Sequence, residues 1–344
     1  MGYAAANMVI DTLRELQGDC AMGFKLVMLP PQTDVYRAWG QRLTAELPEV
    51  NVVVAEGEQQ AQHDIVDAEA AFGILPADLL KRATKLRWLQ CHAAAPPAGY
   101  YYPELIAHPV VVTNTREIYN DCISAHIMAY VLAFARGFHR FLPQQLRREW
   151  AKSEREDGDV LHLPETTMLI VGVGGIGAET ARLAAAFGMQ VLATDARRRH
   201  TPPGVSELHP AERLDALLPS ADFVVLTVPH TPATEGFFNR ARFQRMKRSG
   251  FFINIGRGMT TKLDDLVAAL RAGEIAGAAL DVYEIEPLPK DHPLWTMPGV
   301  LLTPHTAGHG MYLDERRYEI LRDNCRAMLQ GKPFRNLVDK ANWF

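Results

Sequence analysis

The chain has 344 residues, of which 36 are Lys or Arg and 40 are Asp or Glu, and its formal net charge is −4. One hydrophobic core rarely grows beyond about 250–300 residues, so this length predicts two domains. The slightly acidic balance argues against nucleic acid or an anionic membrane surface as the main partner. The longest uncharged apolar stretches, such as Ile127–Ala135, are too short to span a bilayer.

The four cysteines lie far apart in the sequence and form no CxxC pair, so no metal site is predicted. The first ten residues contain no Lys or Arg, and a secretory signal normally begins with a basic segment. These two features together predict a cytoplasmic protein whose cysteines are free thiols.

The first hundred-odd residues alternate short apolar runs with amphipathic stretches, and residues 1–23 are expected to form an extension before them. Strands that are buried on both faces of a parallel sheet are continuously apolar, so these runs predict an open α/β domain. A helix is predicted at Asp34–Leu47. The predicted strands are Phe24–Leu29, Val50–Ala55, Ala70–Leu75, Leu86–Gln90 and Val110–Thr113.

A long helix is predicted at Ile118–Arg140 and a charged surface loop at Lys152–Leu161. From Thr167 the alternation of strands and helices starts again, in the order typical of a doubly wound Rossmann sheet. The strands are predicted at Met168–Val173, Gln190–Thr194, Asp222–Val228, Phe251–Ile255, Gly277–Leu280 and Val300–Thr303, and the helices at Gly175–Phe187, Arg240–Arg248 and Leu263–Ala272. A last helix at Leu313–Leu329 adds no obvious Rossmann element, so the chain is expected to return to the first domain.

A glycine-rich turn follows the first strand of the second sheet. Residues 172–177 (GVGGIG) match GxGxxG between a predicted strand and an Ala-rich helix. Gly172 allows a tight turn, Gly174 lets the backbone approach a pyrophosphate, and Gly177 lets the helix pack closely on the strand. The helix that begins at Gly175 and Ile176 would offer free N–H groups and a positive dipole end to the phosphates.

An acidic residue, Asp195, ends the next strand, 18 residues after the last glycine of the motif. A carboxylate at this position would accept hydrogen bonds from the ribose hydroxyls of the adenosine half and would repel a 2′-phosphate, which favours NAD. Arg197 and Arg198 follow immediately, and an Arg near this position can pair with the 2′-phosphate of NADP. NADP therefore stays possible.

Four polar residues follow the later strands of the second sheet: Arg257, Asp281, Glu286 and His305. The carboxyl ends of parallel strands form the ligand-binding edge of such sheets. A guanidinium binds a carboxylate through two hydrogen bonds, and an imidazole can protonate a carbonyl oxygen. A carboxylate beside the imidazole orients the ring and stabilises its protonated form. These groups together suit the chemistry of a 2-oxo acid.

The sequence at this point resembles the D-isomer-specific 2-hydroxyacid dehydrogenases. Four stretches, in the order typical of that family, carry the resemblance: Val171–Gly177 (VGVGGIG), Met246–Gly258 (MKRSGFFINIGRG), Ala278–Pro289 (AALDVYEIEPLP) and Leu302–Gly308 (LTPHTAG). The resemblance implies reduction of a 2-oxo acid to the D-2-hydroxy acid with NAD(P)H, with glyoxylate or hydroxypyruvate among the substrates that fit.

The resemblance also implies residue roles. Arg257 is expected to bind the substrate carboxylate, His305 to act as acid and base, and Glu286 to be the partner of the histidine. Asp281 is expected to face the nicotinamide side of the cofactor. Further cofactor contacts are expected at Val228, Pro229, Thr234, Ile255 and Gly308.

The sequence departs from the family pattern at two places. The usual substrate loop is replaced by residues 90–97 (QCHAAAPP), where only the backbone N–H groups of Ala94 and Ala95 are left as expected contacts for the substrate carboxylate. Pro96 and Pro97 carry no N–H and change the loop. Gly175 stands where many relatives carry a side chain that covers the pyrophosphate.

The expected architecture is α/β, with two doubly wound parallel-sheet domains. A Rossmann cofactor domain, residues 118–308, is inserted in a flavodoxin-like substrate domain made of residues 1–117 and 309–344. The resemblance also implies a homodimer, with Ile118–Arg140 as a candidate interface helix. Two alternatives stay open: a corepressor-like protein that senses NAD, and a phosphite- or formate-type dehydrogenase, although Glu286 argues against formate.

Overall fold

The structure is a computed structural model that describes residues 23–94, 97, 99–152 and 160–341. The expected extension before Gly23 lies outside the described residues, as does most of the predicted loop Lys152–Leu161. The chain forms two compact units. One contains the residues up to Ile118 together with those from Met311 onward, and the other is Tyr119–Gly310.

The strands and helices of the described residues alternate along both units. The strands are β1 Phe24–Met28, β2 Val50–Val54, β3 Ala70–Phe72, β4 Trp88–Gln90, β5 Val111–Thr113, β6 Thr167–Val171, β7 Gln190–Asp195, β8 Glu207–Pro210, β9 Phe223–Leu226, β10 Phe251–Asn254, β11 Gly277–Leu280 and β12 Val300–Leu302. The α-helices are α1 Asp34–Glu46, α2 Glu58–Asp64, α3 Ala77–Arg82, α4 Pro103–Ala107, α5 Asn120–Ala135, α6 Phe138–Arg147, α7 Gly175–Ala186, α8 Leu214–Leu217, α9 Arg240–Phe243, α10 Leu263–Arg271 and α11 Leu313–Leu329.

The first unit is built on a parallel five-stranded sheet in the order β2-β1-β3-β4-β5. This is the flavodoxin-like strand order. The last helix completes this unit, because Tyr318 and Cys325 of α11 are fully buried in one apolar cluster with Trp39 and Leu43 of α1. Without α11 that face of the sheet would expose its apolar side chains to water.

The second unit is built on a parallel seven-stranded sheet in the order β12-β11-β10-β9-β6-β7-β8. Counted from β6, this is the Rossmann order extended by one strand. Apolar clusters cover both faces of the sheet, so the central strands β9, β10 and β11 are buried along their whole length. The predicted fold class, two doubly wound parallel sheets, is confirmed.

Two predicted helices differ in the structure, and one strand was not predicted. The helix expected at Ile118–Arg140 is two helices, because Gly137 adopts a left-handed φ of 73° and separates α5 from α6. The helix expected at Arg240–Arg248 ends at Phe243. The edge strand β8 was not predicted, because its sequence ELHP carries little apolar signal. No helix among the described residues is both long enough and apolar enough to cross a membrane.

Candidate active site

Three predicted site residues follow three neighbouring strands of the second sheet. Arg257 comes after β10, Glu286 lies in the loop after β11, and His305 lies in the loop after β12. All three strands are parallel, with Asn254 beside Leu280 and Leu280 beside Leu302 at their carboxyl ends. The fold therefore carries the three functional groups at one edge of the sheet.

His305 and Glu286 form a hydrogen-bonded pair. The Nδ1 atom of His305 lies 2.7 Å from Oε2 of Glu286, and the other carboxylate oxygen accepts the backbone N–H of Tyr283 at 3.0 Å. Both oxygens of Glu286 are thereby fixed, and Nε2 is the ring nitrogen directed away from the carboxylate. The His305 side chain is 49% exposed, so a substrate and protons from solvent can reach the ring.

The loop that carries His305 is fixed by hydrogen bonds to the buried residue Asp281, which is 1% exposed. One oxygen of Asp281 accepts the Thr303 hydroxyl at 2.6 Å and the Thr306 N–H at 2.8 Å, and the other accepts the Ala307 N–H at 2.9 Å. His305 itself has a left-handed φ of 53°. The carboxylate of Asp281 thus fixes the turn on both sides of His305, and its expected contact with the nicotinamide stays a prediction.

Two residues of α5 extend this network. The Thr303 hydroxyl also lies 3.1 Å from Nε2 of His126 and within hydrogen-bonding distance of the Tyr130 hydroxyl, which donates to the Leu280 carbonyl. Sequence reasoning did not identify His126 or Tyr130. The only signal was the occurrence of two polar aromatic side chains in the largely apolar part of the helix after Ser124.

Arg257 is held in a rigid turn. The Asn254 carboxamide accepts the Gly256 N–H at 3.0 Å and donates to the Arg257 carbonyl at 3.2 Å, and the Thr260 hydroxyl donates to the same carbonyl. Burial lowers the pKa of Arg257, while the charge of Glu286 opposes that shift. A guanidinium nevertheless stays charged at any pH at which a protein works. Arg257 therefore offers a fixed positive charge near the carboxylate that pairs with the histidine.

The glycine-rich turn has the geometry of a phosphate-binding loop. Gly172 has a φ of 93°, a conformation that side chains rarely adopt. A Cβ at Gly177 would lie 2.2 Å from the Gly172 carbonyl oxygen, so only glycine allows α7 to start this close to β6. At Gly174 the space around an added Cβ is open to 4 Å, which leaves room for a pyrophosphate at the start of α7. The loop therefore fits a dinucleotide.

Asp195, at the end of β7, accepts hydrogen bonds from three backbone N–H groups. Val173 donates to one oxygen at 2.7 Å, and Arg197 and Arg198 donate to the other at 2.8 and 2.7 Å. Burial opposes ionisation of this carboxyl, but the three hydrogen bonds outweigh burial and lower the pKa of Asp195. The group is therefore a carboxylate at neutral pH.

The remaining predicted cofactor contacts lie on loops of the second unit. Val228 and Pro229 follow β9, the neighbour of β6, and the Thr234 hydroxyl closes this loop by donating to the Pro229 carbonyl at 2.7 Å. Ile255 is buried at the end of β10, and Gly308 lies against the ring of Tyr119. None of these positions is contradicted by the geometry, and their contacts with a cofactor stay predictions.

The expected substrate loop belongs to the first unit. The Ala94 carbonyl accepts the Asn114 carboxamide at 3.0 Å, and Asn114 is held by Asn336, whose carboxamide donates to the Asn114 and Arg116 carbonyls. Ala95 lies outside the described residues.

Two features define the class of protein: a loop that fits the phosphates of a dinucleotide, and an arginine near a histidine–carboxylate pair. A nicotinamide-dependent oxidoreductase that acts on a 2-oxo or 2-hydroxy acid needs both features. Comparisons with known proteins identify the family within that class. The family described as "D-isomer specific 2-hydroxyacid dehydrogenase, NAD binding domain" matches residues 128–307.

Relatives match beyond this domain. The chain is 36% identical over 314 residues to a glyoxylate/hydroxypyruvate reductase B of Klebsiella pneumoniae, covering 87% of this chain and 94% of that protein. A probable 2-hydroxyacid dehydrogenase from Rhizobium etli, solved with NADP, HEPES and L(+)-tartaric acid, has a TM-score of 0.78 at 26% identity, covering 94% of this chain and 100% of that chain. An NADPH-dependent glyoxylate/hydroxypyruvate reductase from Sinorhizobium meliloti has a TM-score of 0.77 at 26% identity, covering 93% and 100%.

The chain belongs to the D-isomer specific 2-hydroxyacid dehydrogenase family. It is an NAD(P)-dependent enzyme that interconverts a 2-oxo acid and a 2-hydroxy acid. The predictions of family, reaction class and nicotinamide cofactor are confirmed.

Proposed function

We propose that the enzyme reduces a small 2-oxo acid of the glyoxylate or hydroxypyruvate type to the D-2-hydroxy acid, with Arg257, Glu286 and His305 as its catalytic residues. The observation that carries the proposal is the 2.7 Å contact between His305 and Glu286 at the sheet edge that also holds Arg257. Several relatives are glyoxylate/hydroxypyruvate reductases, which supports the substrate class.

Each residue has a defined role in this proposal. NAD(P)H, when bound, supplies the hydride for C2 of the substrate. His305 gives the proton on Nε2 to the oxygen at C2, while Glu286 accepts the Nδ1–H and stabilises the protonated ring. Arg257 binds the substrate carboxylate through its guanidinium and, as a permanent cation, cannot be the proton donor. We keep the N–H groups of Ala94 and Ala95 as further proposed contacts for that carboxylate.

A panel of 2-oxo acids tests this assignment. We expect glyoxylate and hydroxypyruvate to give the highest kcat/KM with NAD(P)H, above pyruvate and above aryl or branched 2-oxo acids. NADH binding without turnover of any 2-oxo acid would favour the corepressor-like alternative. Turnover of phosphite or formate in place of a 2-hydroxy acid would favour the other alternative. The 2-hydroxy acid product should be the D enantiomer on chiral chromatography.

We propose that NAD is preferred over NADP, because the Asp195 carboxylate stands at the end of β7, where a 2′-phosphate would meet its negative charge. The enzyme should therefore show a several-fold higher kcat/KM with NADH than with NADPH. Asp195→Ser should reduce that ratio, and Arg198→Ala should lower kcat/KM with NADPH more than with NADH. A wild-type preference for NADPH would contradict the proposal and would identify the arginines after Asp195 as the phosphate anchors.

We propose a cytoplasmic homodimer, and the surface of α6 supports the dimer. Large apolar side chains lie exposed on and just after this helix: Phe138, Phe141, Leu142, Leu146 and Trp150. Leu146 and Trp150 are 86% and 90% exposed. A patch of this kind on a protein surface marks an interaction site, and cyclic dimers are the commonest assembly.

Light scattering after size exclusion should give a mass near twice the 38.3 kDa of the chain. The double variant Leu142→Glu, Leu146→Glu should give a single-chain mass, because each charge would be buried at the contact. Phe187→Glu is the matched control: this residue is also an exposed apolar side chain, but it lies on the far end of α7 and should leave the mass unchanged. A wild-type mass of one chain would refute the dimer.

A further inference from the structure

The phosphate-binding loop has a glycine, and therefore no side chain, at the position where α7 begins. Gly175 is the first residue of that helix and is exposed, and the neighbouring Gly174 is also exposed. The loop itself therefore offers only backbone N–H groups to a pyrophosphate. A dinucleotide carries two negative charges at this place, so further donors would strengthen its binding.

A side chain from a different helix occupies the space beside Gly175. Asn120 is the first residue of α5, and its carboxamide stands so close that a Cβ on Gly175 would lie 2.6 Å from both its nitrogen and its oxygen. The carboxamide makes no hydrogen bond to any residue within the described part of the chain. The amide N–H donors of this half-buried side chain are therefore available to a ligand bound at the loop.

The two helices that meet at this point are fixed to each other. The Ser124 hydroxyl of α5 donates to the Ile176 carbonyl of α7 at 3.0 Å and accepts the Thr180 hydroxyl of α7 at 3.1 Å. Ser124 and Thr180 are fully buried. Asn120 therefore keeps its position relative to Gly175 without any ligand, so that little conformational entropy is lost on binding.

We infer that Asn120 binds the pyrophosphate of the cofactor, its Nδ2 group donating to a phosphate oxygen and taking the place of the side chain that Gly175 does not supply. The inference rests on the proposal that residues 172–177 form the pyrophosphate site. Asn120 would donate in addition to the free N–H groups of α5 and α7, whose N-termini both carry partial positive charge. This makes Asn120 a cofactor-binding residue located outside the glycine-rich motif.

Binding of NADH and of ADP-ribose to the whole enzyme, followed by fluorescence or calorimetry without substrate, tests the inference. Asn120→Ala should raise both Kd values by a similar factor, roughly 5- to 20-fold, because one hydrogen bond to a charged group is lost from a partly exposed site. The KM for the 2-oxo acid at saturating NADH should stay unchanged. An increase for NADH alone would place Asn120 at the nicotinamide half and overturn the inference.

Asn120→Asp separates a ligand contact from a structural role. An aspartate in the first turn of α5 suits the helix dipole, so Tm should stay the same or rise. The added negative charge should nevertheless weaken NADH and ADP-ribose binding more than alanine does, by roughly 10- to 100-fold, because it repels the phosphates. A purely structural Asn120 would give the opposite order, with the aspartate variant binding at least as well as the alanine variant.

The variant Gly175→Ala tests the inference about Asn120 in a second, independent way. Its φ is not in the left-handed range, so alanine fits the helix, but the new methyl group must displace the Asn120 carboxamide. Gly175→Ala should weaken ADP-ribose binding about as much as Asn120→Ala, and the double variant should be no weaker than either single variant. An enzyme that reduces 2-oxo acids while none of these variants changes ADP-ribose binding would overturn the inference and leave the proposed function standing.

Discussion

His305→Asn is expected to lower kcat for 2-oxo acid reduction by roughly 10²–10⁴-fold, the usual cost of removing a general acid. Asparagine is the better replacement because position 305 has a φ of 53°, and asparagine tolerates this left-handed conformation more readily than alanine. The carboxamide cannot supply a proton to the oxygen at C2. The loss should therefore appear in the chemical step and not in the folding of the loop.

Three measurements separate a loss in the chemical step from a loss in folding or in cofactor binding. The Kd of NADH and the Tm of His305→Asn should match the wild type, because Asp281 fixes the turn through the neighbouring residues Thr306 and Ala307. Glu286→Gln should be milder than His305→Asn, since the amide oxygen can still accept the Nδ1–H of the ring but carries no charge. If His305→Asn keeps more than half of the wild-type kcat, His305 is not the acid.

Arg257→Ala is expected to lower kcat/KM by about 2–4 kcal/mol, or roughly 30- to 1,000-fold, through both a higher KM and a lower kcat. The guanidinium is lost from a largely enclosed turn where water replaces it poorly. Arg257→Lys keeps the charge but cannot form two parallel hydrogen bonds with a carboxylate. It should recover only part of the activity.

A substrate analogue gives a second readout for Arg257. Oxamate, which keeps the carboxylate and the carbonyl of a 2-oxo acid, should bind the NADH complex of Arg257→Ala much more weakly than that of the wild type. NADH itself should bind both proteins equally, because the pyrophosphate loop is separate from this turn in sequence and in strand order. Equal oxamate affinities in the two proteins would exclude Arg257 from substrate binding.

Much of the fold could be read from the sequence because parallel sheets impose a simple pattern. Strands buried on both faces must be apolar throughout, so the runs around Leu26, Ile170 and Val225 could be recognised as strands from the sequence. The edge strand β8 is less buried than the central strands, and its sequence has no continuous apolar run. The break between α5 and α6 was missed because Gly137 lies in an apolar, helix-favouring stretch, and one glycine does not by itself show that it takes a left-handed φ.

Motif positions and strand order were enough to predict which chemical groups meet at the edge of the second sheet. Arg257, Glu286 and His305 each follow a strand, and parallel strands deliver their carboxyl ends to one edge whatever the details of packing. Gly172 and Gly177 were likewise predictable, because only glycine satisfies the backbone of that turn.

The partner of each polar atom depends on packing and could not be predicted from the sequence. Asp281 supports the turn that holds His305, Asp195 accepts three backbone N–H groups, and Asn120 reaches Gly175 from 55 residues away in the chain. Side-chain direction depends on rotamers and on neighbours that are distant in sequence, and no local pattern encodes either. Spacing along the chain can therefore place a residue at the correct edge of a sheet, but only the packing of helices against that sheet decides which partner the residue contacts.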